Sequence, residues 1–402
     1  ARFQFETPRA IHVLNTCAVT REATLEAVRE SKRIKKKNPD AIVVVTGCAA
    51  QVDTQEFEGL ASADLVIANS HKGDLETILT RYLQGESSER VFKSNIFKKE
   101  DLEAGGGVES HHTRSFLKIQ DGCNSFCTFC VIPFARGKSR SLSIEQLKNR
   151  VNEFYEQGLR EVVLTGVHIG DFEEGLENLL ENLLKDTKMP RFRLASLEPI
   201  EVSERLLDCF QDERVCSHFH MSIQSANTEV LAGMKRKYSS REVEHALNQI
   251  NKRVPQAYVG MDVIAGFVGE TDAQFEDGYM RLANLPWTRL HVFPYSERPG
   301  TFALKLDGKV PSQTLQARAV QLRELSWNRL LQSADQQVGQ IKRALLLKNS
   351  SNLEKTAAVA RDQWALEVPA GQVAGADFAG AESAGTGEVQ LEVTGVRLKA
   401  AR

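Results

Sequence analysis

Six short apolar runs recur between residues 115 and 296, and each is followed by a stretch of helical periodicity. They are "SFLKIQ" (115–120), "EVVLTG" (161–166), "RFRLAS" (191–196), "HFHMSI" (218–223), "AYVGMDVIAG" (257–266) and "RLHVFPYS" (289–296). Short β-branched and aromatic runs alternating with amphipathic helices build parallel strands joined by crossover helices. Three of the helices open on a capping box, in which a Ser or Thr faces Gln or Glu three residues later: Ser143 with Gln146, Ser239 with Glu242, Thr271 with Gln274. Six βα units in this length predict a partial (β/α)6 barrel over residues 113–334, wound like a TIM barrel but two units short. Such sheets gather their chemistry at the carboxyl ends of the strands.

The flanks read differently. In residues 1–97, "IHVLN" (11–15) and "AIVVVTG" (41–47) are buried parallel strands, and 21–38 and 72–83 are helices. This predicts a small amino-terminal α/β domain. Residues 98–112 carry three consecutive glycines and no apolar period, a linker. A closing helix spans 311–334. Residues 335–402 break into short β-like runs between Gly/Ala/Asn-rich turns, predicting a small carboxy-terminal β-barrel.

The chain has seven cysteines. It has no apolar run near the ~20 residues that cross a bilayer, and its start, "ARFQFETPRA", lacks the apolar core of a secretory signal. A cytoplasmic location without membrane contact is expected, and there thiols stay reduced. Cysteines are then ligands or core fillers. Cys209 and Cys216 show no ligand partner in the sequence and read as core.

Cys123, Cys127 and Cys130 are spaced C-x3-C-x2-C directly after the first barrel strand. Grouped thiolates select zinc, copper or iron–sulfur. A closed zinc site needs a fourth Cys or His at tight spacing, and only His111 and His112 lie near, on the far side of the strand. Three cysteines on one loop fit a 4Fe–4S cluster with one iron left open to a chelating ligand.

The segment "FLKIQDGCNSFCTFCVIPFARGKSRS" (116–141) resembles the cluster loop of the radical S-adenosylmethionine enzymes. "VLNTCAVT" (13–20), "VVVTGCAAQ" (43–51), "RLASLEP" (193–199), "FHMSIQSANTEVLAGMKRKY" (219–238), "DVIAGFVGET" (262–271) and "HVFPYSERPGT" (291–301) are similar to motifs of the methylthiotransferases within that superfamily. The resemblance implies S-adenosylmethionine chelated at the open iron and reductively cleaved to a 5′-deoxyadenosyl radical. It also implies a second 4Fe–4S cluster held by Cys17 and Cys48 and a TRAM-like RNA-binding tail. The family's first auxiliary cysteine lies in an early G-C-x-x-N turn. This chain begins too late to contain that turn; the expectation is that the segment is absent from it, the alternative being that the protein holds the cluster incompletely.

The same resemblance assigns roles at the barrel mouth. Phe129 matches the aromatic position whose backbone meets adenine, and Gly166 the backbone site for the cofactor's amino group. Glu198 and Gln224 end adjacent strands and are read as hydrogen-bonding ribose and methionine groups. Gly266, before a helix amino terminus, cradles adenine or ribose. Arg136 and Arg140 flank the cluster loop as forks for a carboxylate or phosphate. Each of these also has a plain reading, as a strand-end turn or a solvated loop. His168 in "LTGVHIGDF" (164–172) stands near the substrate in the branch of the family that this motif is most similar to.

For RNA, the basic stretches "KRIKKK" (32–37), "RGKSR" (136–140) and "KRKY" (235–238) offer phosphate contacts, with Lys235 and Arg236 the substrate candidates. The nearly neutral tail would rely on stacking at Trp364 or Phe378. The expected activity is transfer of CH3S to C2 of N6-threonylcarbamoyladenosine at position 37 of tRNA. A reducing flavodoxin- or ferredoxin-like protein and a sulfur source are implied as partners. N6-isopentenyladenosine and a ribosomal-protein aspartate are the alternative substrates. A non-catalytic iron–sulfur RNA-binding protein and a zinc-stabilised one are the rivals from other classes.

Overall fold

The computed structural model describes residues 10–100, 102, 113–347, 355–369 and 388–396. The described residues form two compact units. The first takes residues from 1–103, 121–140 and 296–306, the second from 104–120, 141–295 and 307–402.

The first unit is built on a parallel sheet of strands β1 (Ile11–Thr16), β2 (Ile42–Gly47), β3 (Leu65–Ala68) and β4 (Val91–Phe92), in that order. Every residue of β2 and β3 is buried, as their unbroken apolar runs require. Helix α1 (Arg21–Lys37) starts at Thr20, whose side chain accepts from the Ala23 amide, and ends on Lys35, Lys36 and Lys37 at the negative pole of its dipole. The cluster loop belongs to this unit. Its exit helix α2 (Ile132–Arg136) inserts Val131 and Ala135 into the core formed by Val43, Val45, Cys48 and Phe57. The segment 296–306 is pinned here by Arg298, whose Nη2 donates to Asp53 at 2.5 Å with both side chains buried.

In the second unit all six expected strands are present and parallel. β5 (Arg114–Lys118), β6 (Glu161–Thr165) and β7 (Phe192–Leu194) form one ribbon. β8 (Ser196–Leu197), β9 (His218–Gln224), β10 (Tyr258–Ala265) and β11 (Arg289–Pro294) form the other. The third run, read as one strand, is broken between Leu194 and Ser196. All three expected capping boxes are made. In β9 the burial alternates strictly: Phe219, Met221 and Ile223 are fully covered, while His218, His220, Ser222 and Gln224 are half-exposed. The latter set faces the lumen.

The carboxy-terminal strands β12 (Ile341–Leu346), β13 (Lys355–Ala360), β14 (Ala365–Pro369) and β15 (Glu388–Glu392) form an antiparallel sheet of order β14-β13-β12-β15. The expected linker lies almost wholly outside the described residues, as do His111, His112 and Phe378.

Candidate functional site

None of the seven cysteines forms a disulfide. In the first unit Cys123 and Cys130 are half-exposed and Cys127 is buried. The loop is shaped by its own backbone. Cys123 N–H donates to Gly137 O at 3.1 Å, and Cys130 N–H to Cys127 O at 3.1 Å. Gly122 must be glycine, because φ is +77° and an added Cβ would lie 2.0 Å from Lys138 O. The amides of Ser125 and Ile132 point at the Cys123 and Cys130 sulfurs, both at 3.4 Å. Soft donors on one loop, their sulfurs met by N–H groups, fit an iron–sulfur cluster. Phe129, within the same loop, is half-buried.

Cys48 is buried at the first residue of a short helix (Cys48–Val52), and Cys17 is exposed just past β1. Thr16 pairs with Gly47 across the sheet, so the two cysteines leave adjacent strands at the same level. The Val19 amide reaches the Cys17 sulfur at 3.4 Å. Arg136, read from sequence as a loop arginine beside a cofactor, has a defined place. Its Nε donates to the Cys48 sulfur at 3.2 Å and its Nη1 to Asp121 Oδ1 at 3.2 Å. Burial opposes the charge, but Cys48 and Asp121 outweigh it and hold the guanidinium above the ordinary arginine range. Asn69 Nδ2 lies 3.6 Å from the same sulfur and donates to Ala135 O at 2.9 Å. Neither Asp121 nor Asn69 carried a sequence signal, because both act through contacts distant in the chain.

In the second unit the strand ends bring His168, Glu198, Gln224 and Arg236 to the barrel mouth. His168 Nε2 lies 2.5 Å from Glu201 Oε1 and 3.6 Å from Glu198 Oε1, and its Nδ1 lies 3.2 Å from Asp171 Oδ2. Glu198 is buried and pairs with Arg236 Nη1 at 2.9 Å. Burial pushes the Glu198 carboxyl up, with Glu201 and Asp171 adding to it, against the opposing pull of Arg236 and His168. Arg236 is therefore turned inward, with Nη2 on Ser222 O at 2.6 Å, which leaves Lys235 and Lys237 as the exposed cations of "KRKY". Lys235 and Gln224 both hold left-handed backbone, φ 59° and 63°. For residues that are not glycine, this marks a site whose surroundings enforce the conformation.

The two glycines are fixed by packing. A Cβ on Gly166 would lie 2.9 Å from Gln120 O. On Gly266 (φ +71°) it would meet Leu315 at 2.7 Å, and the Gly266 amide is taken by Glu270 at 3.0 Å. Trp364, expected as a stacking surface, packs edge-to-face on Tyr258 at 5.3 Å and also closes the core of the carboxy-terminal sheet. Further down the lumen lies a set that the sequence reading missed. Ser196 Oγ is 2.6 Å from His220 Nδ1, His220 Nε2 is 3.1 Å from Asp262, and the His220 and His291 rings are 5.5 Å apart. The signal was available: "HFHMSIQ" is polar at every second position of an otherwise buried strand.

A parallel six-stranded partial barrel with a three-cysteine loop after its first strand defines a radical S-adenosylmethionine protein, and the Radical SAM superfamily matches residues 117–281. Residues 3–68 match Uncharacterized protein family UPF0004. The chain is 37% identical to the threonylcarbamoyladenosine tRNA methylthiotransferase MtaB of Aquifex aeolicus, over 86% of each chain. It is 32% identical to that of Bacillus subtilis, over 81% of this chain and 74% of the relative. The tRNA-2-methylthio-N(6)-dimethylallyladenosine synthase of Thermodesulfovibrio yellowstonii is 29% identical over 78% and 74%. The fold is shared with the radical S-adenosylmethionine methyltransferase TsrM of Kitasatospora setae, with TM-score 0.55 at 15% identity over 72% of this chain and 64% of that one. The chain belongs to the radical S-adenosylmethionine methylthiotransferase family. It is an enzyme of the sulfur-group transferase type, and its family uses S-adenosylmethionine and a 4Fe–4S cluster. Among the described residues no helix is long and apolar enough to cross a membrane.

Proposed function

We propose that this enzyme transfers CH3S to C2 of N6-threonylcarbamoyladenosine at position 37 of tRNA in the cytoplasm. One observation carries the choice of substrate. The MtaB relatives of Aquifex aeolicus and Bacillus subtilis are 37% and 32% identical, above the 29% of the dimethylallyladenosine enzyme. The lumen chemistry supports it, since a chain of Ser, His and Asp side chains suits a polar substituent better than an isopentenyl tail.

Cys123, Cys127 and Cys130 would hold the radical cluster, and Cys17 and Cys48 would supply two ligands of an auxiliary one. When bound, these groups supply 5′-deoxyadenosyl radical formation and a site for the transferred sulfur. The chain's own residues bind and orient. Glu198, held by Arg236 and His168, presents a buried carboxylate at the strand ends, where ribose hydroxyls are bound in such folds. Phe129, Gly166, Gln224 and Gly266 are the remaining cofactor contacts in this reading, and Lys235 meets RNA phosphate. A flavodoxin- or ferredoxin-like reductant and a sulfur source complete the reaction.

Mass spectrometry of tRNA nucleosides from cells lacking the gene tests the assignment. Loss of the methylthio form of threonylcarbamoyladenosine is expected, and its persistence beside loss of methylthio-isopentenyladenosine would transfer the enzyme to the other substrate.

Arg136 gives a more local prediction. Groups that hydrogen-bond a metal ligand typically contribute 10–100-fold to metal affinity. In a Cys123→Ala/Cys127→Ala/Cys130→Ala background, Arg136→Met is expected to release iron from the remaining site to a chelator about tenfold faster or more. Arg136→Lys should be intermediate, and unchanged release would detach Arg136 from that site.

A further inference from the structure

A cavity of about 1920 Å³ in the second unit runs from mid-lumen towards the carboxy-terminal sheet. Its upper wall includes His220, Gly260 and His291, with Tyr258 and Arg289 below. These are alternate residues of β9, β10 and β11, so their side chains share the lumen face. Two properties of this wall stand out physically. On one side it is pre-organised: His220 is fixed at both ring nitrogens, by Ser196 at 2.6 Å and Asp262 at 3.1 Å. On the other, neither Arg289 nor His291 has a counter-ion among the described residues, although Glu324, Glu367 and Glu392 also line the cavity. The nearby Asp262 carboxylate is already engaged by His220. Gly260 keeps the space between the two histidines open. A Cβ there would sit 3.6 Å from His291 Nε2 and 3.7 Å from His220 Cδ2, in the gap that the rings leave.

An aliphatic substituent in such a place would strip water from two imidazoles and a guanidinium without replacing their hydrogen bonds, which is costly. A carboxylate would complete the pairing that Arg289 lacks, and a urea or hydroxyl would meet the histidine edges. Burial, and after it Arg289, holds the His291 pKa below the ordinary imidazole range, with Asp262 pulling the other way.

We propose that Arg289 and His291, facing the fixed Ser196–His220–Asp262 wall, form the subsite for the N6 substituent of the substrate adenine and select a substituent that ends in a carboxylate. This rests on the substrate reading above. Arg289 and His291 take the carboxylate, and Ser196 and Asp262 act as positioning residues through His220. Specificity then comes from leaving the half-buried Arg289 without a counter-ion when the wrong substrate enters, the kind of discrimination that a merely apolar pocket cannot provide.

The test uses the full-length, cluster-loaded enzyme and two anticodon stem-loop RNAs. One bears N6-threonylcarbamoyladenosine, and the other its carboxamide, in which only the charge is removed. kcat/KM is read from methylthio-nucleoside formation. Wild type is expected to prefer the carboxylate about 10–100-fold. Arg289→Met and His291→Leu should collapse that preference by raising KM on the carboxylate RNA by a larger factor than on the carboxamide RNA. Arg289→Lys, which keeps the charge, should retain most of the preference. The subsite is overturned if the variants lower both RNAs by the same factor, if they lower neither, or if wild type does not distinguish the two. Wild type inactive on both RNAs but active on isopentenyladenosine RNA would instead overturn the substrate reading, and the carboxylate subsite with it. Should Arg289→Met not accumulate as folded protein, the Arg289→Lys and His291→Leu ratios decide alone.

Discussion

Cys127→Ala is expected to lower reductive cleavage of S-adenosylmethionine by at least about a hundredfold, since even the hydrogen-bonding partners of metal ligands commonly contribute 10–100-fold and a ligand contributes more. Iron and acid-labile sulfide should fall by one cluster's complement, and 5′-deoxyadenosine should vanish from an anaerobic assay with dithionite. The buried Cys127 sits in a loop tied by Cys123 N–H to Gly137 O and by Cys130 N–H to Cys127 O. Removing its sulfur therefore takes away a proposed ligand without unmaking the backbone that presents Cys123 and Cys130. Cys209→Ala is the matched control. Burial pushes that thiol up to about 11, and its sulfur lies against Arg205 O at 3.5 Å, so it contributes no thiolate at neutral pH. Loss of cluster in Cys209→Ala, or full cleavage activity in Cys127→Ala, would refute the ligand set.

The six barrel strands were legible because each pairs an apolar run with a following amphipathic helix, and because Ser143, Ser239 and Thr271 announce helix starts through local hydrogen bonds. The three-cysteine loop stands out in the sequence by its C-x3-C-x2-C spacing directly after the first barrel strand. What escaped is what depends on contacts distant in the chain. Arg136 lies 88 residues from Cys48, and no local pattern marks it as that cysteine's partner. The membership of α2 in the amino-terminal core depends on Val131 and Ala135, two small apolar residues that read as loop filler. The short buried strand β3, "LVIA", is too brief to stand out from the helices beside it. "KRKY" looked like a surface patch, yet Arg236 is drawn inward because Glu198 is buried and needs a cation. The lumen histidines show in the sequence only as alternation along a strand, which marks a shared face but not a role.

Glu161→Gln is expected to destabilise the second unit by about 3–5 kcal/mol at neutral pH, the range for removing one partner of a buried ion pair. Glu161 is fully buried between Arg191 Nε at 2.7 Å and Arg193 Nε at 3.0 Å, with Arg114 at 3.6 Å. Arg191, itself fully buried, passes the network on to Glu388 of the carboxy-terminal strand at 2.5 Å, 197 residues away, and Arg361 and Arg343 reach the same carboxylate at 2.5 and 3.1 Å. Five arginines thus share two glutamates, and deleting one negative charge leaves the buried Arg191 and Arg193 short of a counter-ion. Burial alone would raise the Glu161 pKa, but Arg193 and Arg191 overcome it and hold the carboxyl at about 2, against an ordinary 4.5. That depression corresponds to about 3 kcal/mol of stability, in line with the mutational range. Because the folded pKa lies below the unfolded one, this stability is complete above about pH 4.5 and is lost as pH falls from there towards 2. Urea unfolding should show wild type losing stability steeply across that window. Glu161→Gln should start lower at pH 7 and show a flatter acid limb. Equal stability of the two proteins at pH 7 would mean that the arginines are satisfied without Glu161.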